Sequence, residues 1–295
     1  MTGIDMPQSD LMHTGHVGCP GCGATIAMKF ALQALGKETI MVIPACCWAI
    51  IAGPHPQSSL EVPILHTAFE TAGAASSGLR AALDMQGDTK TTIVAWAGDG
   101  GTFDIGFQAL SGAAERNEDF IYVCYDNEAY MNTGVQRSSS TPRGTRTTTT
   151  PGQGWKQTRK KNIVEALAAH RIPYAATANI AFPDDMIRKF KKAKDMKGGT
   201  RFIHVYAACP TGWRIPSEMC IKVSRLAVQS NFFPLYEVED GVKYTLNHKG
   251  NKSVKDYMSI QGRFKHLTDE DYADIQEMVD GDWDLLNRRV EIFKG

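Results

Sequence analysis

The stretch AWAGDGGTFDIG, Ala95–Gly106, carries the sharpest chemistry in the sequence. A β-rich run ends in Gly98-Asp99-Gly100-Gly101, and a helix-like pattern starts almost at once. Glycines at such a turn let backbone N–H groups approach an anion closely. The start of the following helix adds its positive dipole end. Asp99, at the carboxyl end of a strand, can ligate a Mg²⁺ ion that bridges two phosphates. Taken alone, Gly-Asp-Gly after a strand is equally well a plain turn. Asn127 shifts that balance, because it directly follows the next β-rich run, FIYVCYD, with 26 residues between it and Gly100. One strand–helix–strand unit takes roughly 30 residues and brings its second strand back to the same sheet edge. Asp99 and Asn127 would then converge on one ion from neighbouring strand ends.

Cysteines supply the second constellation. There are seven: Cys19, Cys22, Cys46, Cys47, Cys124, Cys209 and Cys220. Cys19-Pro-Gly-Cys22-Gly is a turn that aims two sulfurs at one metal centre, zinc or iron–sulfur. Cys47 follows Cys22 after 24 intervening residues, and Cys209 stands much later in ACPTGW. Spacing leaves zinc and an iron–sulfur cluster equally open, and a shift of one residue would exchange Cys46 for Cys47. Cys124, in a β-rich run, and Cys220, in a helix-like one, read as buried hydrophobes. His13, His16 and His66 read as hydrogen-bonded structural residues, with catalytic use the weaker alternative. Arg159-Lys160-Lys161 reads as a solvated helix start that could instead meet the phosphates of coenzyme A.

The rest of the chain must position these groups. Its 295 residues suffice for one large α/β unit or two lobes. Strands are expected over Thr39–Pro44, Thr91–Ala97, Phe120–Tyr125, Tyr174–Ile180 and Phe202–Ala207. Helices are expected over Ala24–Leu35, Ala68–Met85, Asp104–Arg116, Ile163–His170 and Asp184–Ala193. This alternation predicts a doubly wound, mostly parallel sheet covered on both faces. The hydroxyl-rich segment from Asn132 to Arg159 lacks apolar periodicity, and a loop of that length is functional or disordered. Residues 1–230 are expected to form the α/β domain with the cysteines. Residues 231–295 are expected to form a C-terminal extension, a hairpin plus a helical tail from Thr268 to Phe293, that contacts a partner.

Composition excludes several classes. Lys plus Arg and Asp plus Glu number 32 each, so no net field points to nucleic acid or an anionic membrane. No apolar run reaches the roughly 18 residues of a membrane span. The first residues lack the basic start and apolar stretch of a secretion signal. The expected location is therefore the cytoplasm, where thiols stay reduced and an odd cysteine count argues for metal or redox roles.

These motifs together are a family match. Gly98-Asp99-Gly100 with Asn127 is the GDG-x(26)-N pattern of thiamine-diphosphate binding. The stretches HVGCPGCG, DNEAYMNTGVQRSSSTPRGTRTTTTP, ACPTGW and YMSIQGRFKHL closely resemble the β subunits of pyruvate:ferredoxin oxidoreductase and related 2-oxoacid oxidoreductases. The resemblance implies a thiamine-diphosphate domain in which Gly98, Asp99, Gly100, Gly101, Asn127, Asn132 and Thr133 face the cofactor. Asp99, Asn127 and the Ala129 carbonyl would hold Mg²⁺, and Asn132 would act beside the thiazolium. Cys19, Cys22, Cys47 and Cys209 would hold one [4Fe-4S] cluster. The implied reaction is oxidative decarboxylation of a 2-oxoacid, by default pyruvate, with coenzyme A as co-substrate and ferredoxin or another acceptor taking the electrons. Partner subunits would complete it: an α subunit bringing the activating glutamate and a ferredoxin-like cluster subunit. Ala45-Cys46 and the PHPQSSLEVP stretch depart from the family pattern at its active-site lining, so an aryl glyoxylate or oxalate competes as substrate. A non-oxidative thiamine decarboxylase or synthase would keep Asp99 and Asn127 but needs no spaced cysteines. A zinc-stabilised or electron-transfer module would keep the cysteines without the Asp99–Asn127 spacing.

Overall fold

The computed structural model describes residues 10–292. Its elements run α1 (Gly23–Leu35), β1 (Thr39–Pro44), α2 (Cys47–Ile51), β2 (Ile64–Thr67), α3 (Ala72–Met85), β3 (Thr92–Gly98), α4 (Phe107–Glu115) and β4 (Ile121–Asp126). After a long connection follow α5 (Ile163–Ala168), β5 (Tyr174–Asn179), α6 (Pro183–Asp195), β6 (Arg201–Tyr206), α7 (Pro210–Trp213) and α8 (Cys220–Gln229). The chain closes with β7 (Tyr236–Glu239), β8 (Lys243–Leu246), α9 (Val254–Met258) and α10 (Asp269–Ile292). The expected tail helix is α10; its expected last residue, Phe293, lies outside the described residues.

All eight strands join one sheet in the order β2-β1-β3-β4-β6-β5-β7-β8. Six strands are parallel; β7 pairs antiparallel with β5, and β8 with β7. The hairpin therefore extends the central sheet. Strands β3, β4 and β6 are buried along their whole length, as continuous apolar runs between two helical layers must be. Alternate residues serve alternate faces: Val94, Trp96, Ile121 and Val123 pack towards α1, α6 and α8, while Ile93, Ala95, Tyr122 and Cys124 pack towards α4 and α5. This is the doubly wound α/β sheet expected from the alternation of elements.

In such sheets the usable crevice lies at the carboxyl ends of strands, where the winding direction changes. Here that point falls between β1 and β3, since the chain leaves β1 towards β2 and then returns to β3 on its other side. Ala45-Cys46-Cys47 follow β1, Asp99 follows β3, Asn127 follows β4 and Cys209 follows β6. The fold thus gathers Ala45-Cys46-Cys47, Asp99, Asn127 and Cys209 at the carboxyl ends of the strands, on one edge.

Candidate cofactor and metal site

Asp99 is the first residue past β3 and is buried. The next six residues, Gly100–Ile105, form a wide π-type turn, an irregularity that recurs at functional sites. It replaces the first turn of the helix expected from Asp104. Gly100 is needed at this turn: a Cβ there would stand 2.2 Å from the ring of Tyr130. Tyr130 is held by its hydroxyl, which donates to Asp104 Oδ2 at 2.8 Å.

The end of β4 brings up the second half. Register places Gly98 beside Tyr125, so Asn127 emerges next to Asp99. The side-chain amide of Asn127 lies 3.0 Å from the Ala129 carbonyl oxygen and 3.1 Å from Asp99 Oδ1, and with its nitrogen inward it donates to both. With the amide oxygen inward instead, three acceptors would face one another with no hydrogen between them and repel. A cation relieves that repulsion directly. One carboxylate with an amide and a backbone carbonyl is a donor set that would suit a hard divalent cation such as Mg²⁺. Glu128 adopts a left-handed backbone (φ 67°), and this reversal turns the Ala129 carbonyl back towards Asp99. A bulky residue there costs roughly 1–2 kcal/mol, so its surroundings must hold it. Arg263 Nη2 donates to Glu128 Oε2 at 2.6 Å, Lys160 Nζ to Glu128 Oε1 at 3.2 Å, and the Glu128 N–H to Asp126 Oδ1 at 2.8 Å.

A buried charge network backs this turn. Asp126 accepts from Lys160 Nζ at 2.5 Å, from Ser140 Oγ at 2.6 Å, and pairs with His204 Nε2 at 2.7 Å. Burial alone would raise its carboxyl, but Lys160 and His204 more than offset that and hold it well below the usual carboxylate range. Asp99 behaves oppositely: burial, reinforced by the Asp126 carboxylate, pushes it well up, against Ser138 Oγ donating at 2.5 Å. A buried carboxylate in that state gains most from a bound cation. Lys160, its side chain 21% exposed, is thus the ion-pair partner of two buried carboxylates, not the solvated helix start its sequence context implied.

The 132–159 segment is ordered by its own polar groups. Ser138, Ser140 and Thr141 are buried against Asp99, Asp126 and the Glu128 carbonyl. Lys156, itself buried, donates to the carbonyls of Ser139 at 3.3 Å and of Thr141. The hydroxyl-rich composition that conceals periodicity is what lets this segment wrap two carboxylates.

Asp99, Gly100, Asn127, Ala129, Asn132 and Thr133 line a cleft of about 260 Å³ together with Cys46, Gly98 and Gly101. Asn132 and Thr133 are exposed at its mouth, where Thr133 Oγ1 donates to Gln136 Oε1 at 2.6 Å. No glutamate lines the cleft among the described residues.

The cysteines gather beside it. Gly23 begins α1 against the Ala208 backbone, donating to the Ala208 carbonyl at 3.0 Å; a Cβ there would stand 2.7 Å from Ala208. This close approach sets Cys22 beside Cys209. Cys47 feels the thiols of Cys46, Cys209 and Cys22, and burial with that crowding pushes its own thiol up to about 12. Cys209 is likewise pushed up to about 11 by burial, with Cys22 and Cys19 adding to it. All seven cysteines are free thiols. Cys22 and Cys209 cap α1 and α7, and Cys47 opens α2; the Gly212 N–H donates to Cys209 Sγ at 3.4 Å. Among the described residues no three Cys, His, Asp or Glu side chains close around a single metal ion. Cys46 instead faces Tyr125 and Gly98 and lines the cleft. Cys124 and Cys220 are buried, Cys220 close to Cys22 and Cys209. His13 pairs with Glu61 at 2.6 Å, His16 accepts from the Gly18 N–H at 3.2 Å, and His66 is exposed at the end of β2.

Sequence reasoning missed His204, Arg263 and the role of Trp213. His204 sits mid-strand in FIHVYA, where it reads as core. Trp213 was inside the noticed ACPTGW motif, and its buried indole was the available signal.

Residues 46–205 match the family model described as thiamine pyrophosphate enzyme, C-terminal TPP binding domain. The chain is 49% identical to ketoisovalerate oxidoreductase subunit VorB of Pyrococcus furiosus, over 98% of this chain and 96% of that one. It is 46% identical to pyruvate synthase subunit PorB of Methanothermobacter marburgensis, over 94% and 97% respectively. Among solved structures, the 2-oxoglutarate:ferredoxin oxidoreductase from Magnetococcus marinus, with 2-oxoglutarate, coenzyme A and succinyl-CoA bound, shares the fold. That match has a TM-score of 0.59 and 22% identity, covering 75% of this chain and 82% of that one.

Proposed function

The chain belongs to the thiamine pyrophosphate enzymes and, within them, to the β subunits of 2-oxoacid:ferredoxin oxidoreductases, and from that premise we propose that it binds thiamine diphosphate with Mg²⁺ beside one [4Fe-4S] cluster and carries the oxidative decarboxylation of a 2-oxoacid. The observation that carries the metal assignment is the convergence of the Asp99 carboxylate, the Asn127 amide and the Ala129 carbonyl from neighbouring strand ends. These three would hold the ion. Gly98, Gly100 and Gly101 leave room for the diphosphate, and Asn132 and Thr133 stand where the reacting end of the cofactor would lie. Cys19, Cys22, Cys47 and Cys209 would hold the cluster.

When bound, the cofactor supplies a nucleophilic carbon for the 2-oxoacid carbonyl and the cluster supplies a one-electron acceptor. The protein's own part is positional. Lys160, His204 and Arg263 fix the strand end that presents Asn127, while Ser138 orients the Asp99 carboxylate. Cys46 and Tyr125 shape the wall of the cleft.

A glutamate to activate the cofactor would come from a partner subunit, consistent with a cleft that lacks one. Ile50 in α2 and Ile105 at the end of the π-type turn after β3, 58% and 53% exposed, suit a subunit interface. Residues 231–295 would add to such contacts beyond the 1–230 domain, and a further cluster-bearing subunit and ferredoxin would take the electrons in the cytoplasm. Coenzyme A would accept the acyl group. Pyruvate is the proposed substrate, with ketoisovalerate the alternative that the VorB similarity favours. The native complex, supplied with individual 2-oxoacids, coenzyme A and a viologen acceptor, should reduce the acceptor fastest with pyruvate. Fastest turnover with an aryl glyoxylate or oxalate would refute the aliphatic assignment, and carbon dioxide release without acceptor reduction would refute the oxidative one.

A further inference from the structure

The turn that carries Cys209 and the turn that carries Asn127 are joined by buried side chains. Trp213, fully buried four residues past Cys209, donates its indole Nε1–H to the Asn127 carbonyl at 2.8 Å. Its own N–H donates to the Cys209 carbonyl at 2.9 Å. Gly212 lies between them, and a Cβ there would stand 2.2 Å from the Met131 sulfur, so the two turns touch along their length. Arg263 closes the joint from a distant part of the chain. Its guanidinium centre stacks 3.9 Å from the Trp213 ring while Nη2 pairs with Glu128 at 2.6 Å. Nε donates to Gln261 at 2.9 Å and Nη2 also to Tyr257 at 3.1 Å, so the arginine is itself fixed.

A hydrogen bond and a stacked cation in this setting have consequences for both sites. The Asn127 carbonyl and side chain belong to one residue, so moving the indole moves a metal-binding oxygen. Moving Cys209 moves the indole. We propose that Trp213 is a positioning residue, clamped by Arg263, through which filling the cysteine site stabilises the diphosphate–metal site and the reverse. The proposal rests on the cofactor reading above and adds an energetic link between the two sites. Such a link is reciprocal by thermodynamic necessity.

The test uses the complete native-type complex and reads thiamine-diphosphate affinity at fixed Mg²⁺ by equilibrium dialysis, together with iron content and the electron paramagnetic resonance signal of the reduced cluster. Trp213→Phe keeps the ring and removes the donor; its expected effect is normal iron content with affinity weakened roughly tenfold. Cys209→Ser should weaken affinity similarly although it touches no cofactor-facing residue. The double variant Trp213→Phe, Cys209→Ser should then bind about as well as either single one, because both cut the same link. Arg263→Lys, which keeps the charge but loses the planar stack, should act in the same direction as Trp213→Phe. Full affinity in Trp213→Phe, or losses that multiply in the double variant, would overturn the proposal. A wild-type complex lacking iron or thiamine diphosphate would overturn the cofactor reading itself, a distinct result.

Discussion

The Asn127 side-chain amide reaches to within 3.1 Å of Asp99 Oδ1, two groups from neighbouring strands meeting at the carboxyl edge of the sheet. The Ala129 carbonyl completes the trio at 3.0 Å. With the cation bound, the amide oxygen must point inward. Without it, turning the amide over satisfies all three groups.

Replacing the buried carboxylate should separate the two cofactor sites. Asp99→Ala is expected to lose Mg²⁺-dependent thiamine-diphosphate binding by roughly a hundredfold or more while retaining most iron, since it touches the metal trio and lies outside the cysteine set. Dialysis with labelled cofactor checks the first part and iron analysis the second. Unchanged cofactor affinity would show that the metal lies elsewhere.

Adjacent cysteines allow a sharp comparison. Cys47 feels Cys22 and Cys209, whereas Cys46 faces Tyr125 and Gly98. Cys47→Ser should lose the cluster's visible absorbance and its reduced-state resonance; Cys46→Ser should keep both and alter substrate preference. The reverse pattern would move the ligand assignment by one residue.

Lys160 neutralises two buried carboxylates, Asp126 and Glu128. Lys160→Met should destabilise the chain by about 3–5 kcal/mol, the usual cost of stripping one partner from a buried ion pair. A melting temperature within a degree or two of wild type would mean that His204 and Arg263 suffice.

Acid sensitivity has a separate source in the hairpin. Burial pushes the Glu237 carboxyl up, but Arg188, Lys192, Tyr174 and Asn247 all donate to it and bring it to about 2. A carboxyl lowered from about 4.3 in the unfolded chain contributes stability above that value and loses it as pH falls towards 2. The contribution is on the order of 3 kcal/mol. The protection of the β7 and β8 amides, taken as exchange relative to the unfolded chain at the same pH, should therefore fall on acidification through that window, and Glu237→Gln should remove most of that change.

Much of this was readable before any coordinates. The parallel strands announce themselves as continuous apolar runs, and the Asp99–Asn127 spacing fixes two strand ends one crossover apart. Local patterns failed where partners are distant. Glu128 is held by Arg263 from 135 positions away, and β7 joins the sheet through β5, more than fifty residues upstream. Polar residues mislead for a physical reason: His204 is buried, and Lys160 drawn largely out of solvent, because each meets Asp126, and nothing in their own neighbourhoods records that. The 132–159 segment looked unstructured because hydroxyl-to-carboxylate bonds, unlike apolar faces, have no period.

Metal and cofactor content of the purified native complex bears most directly on the whole account. The expected result per copy of this chain is one thiamine diphosphate, one Mg²⁺, and four iron atoms with four acid-labile sulfides beyond those of partner subunits. Zinc without iron, or iron without thiamine diphosphate, would contradict it.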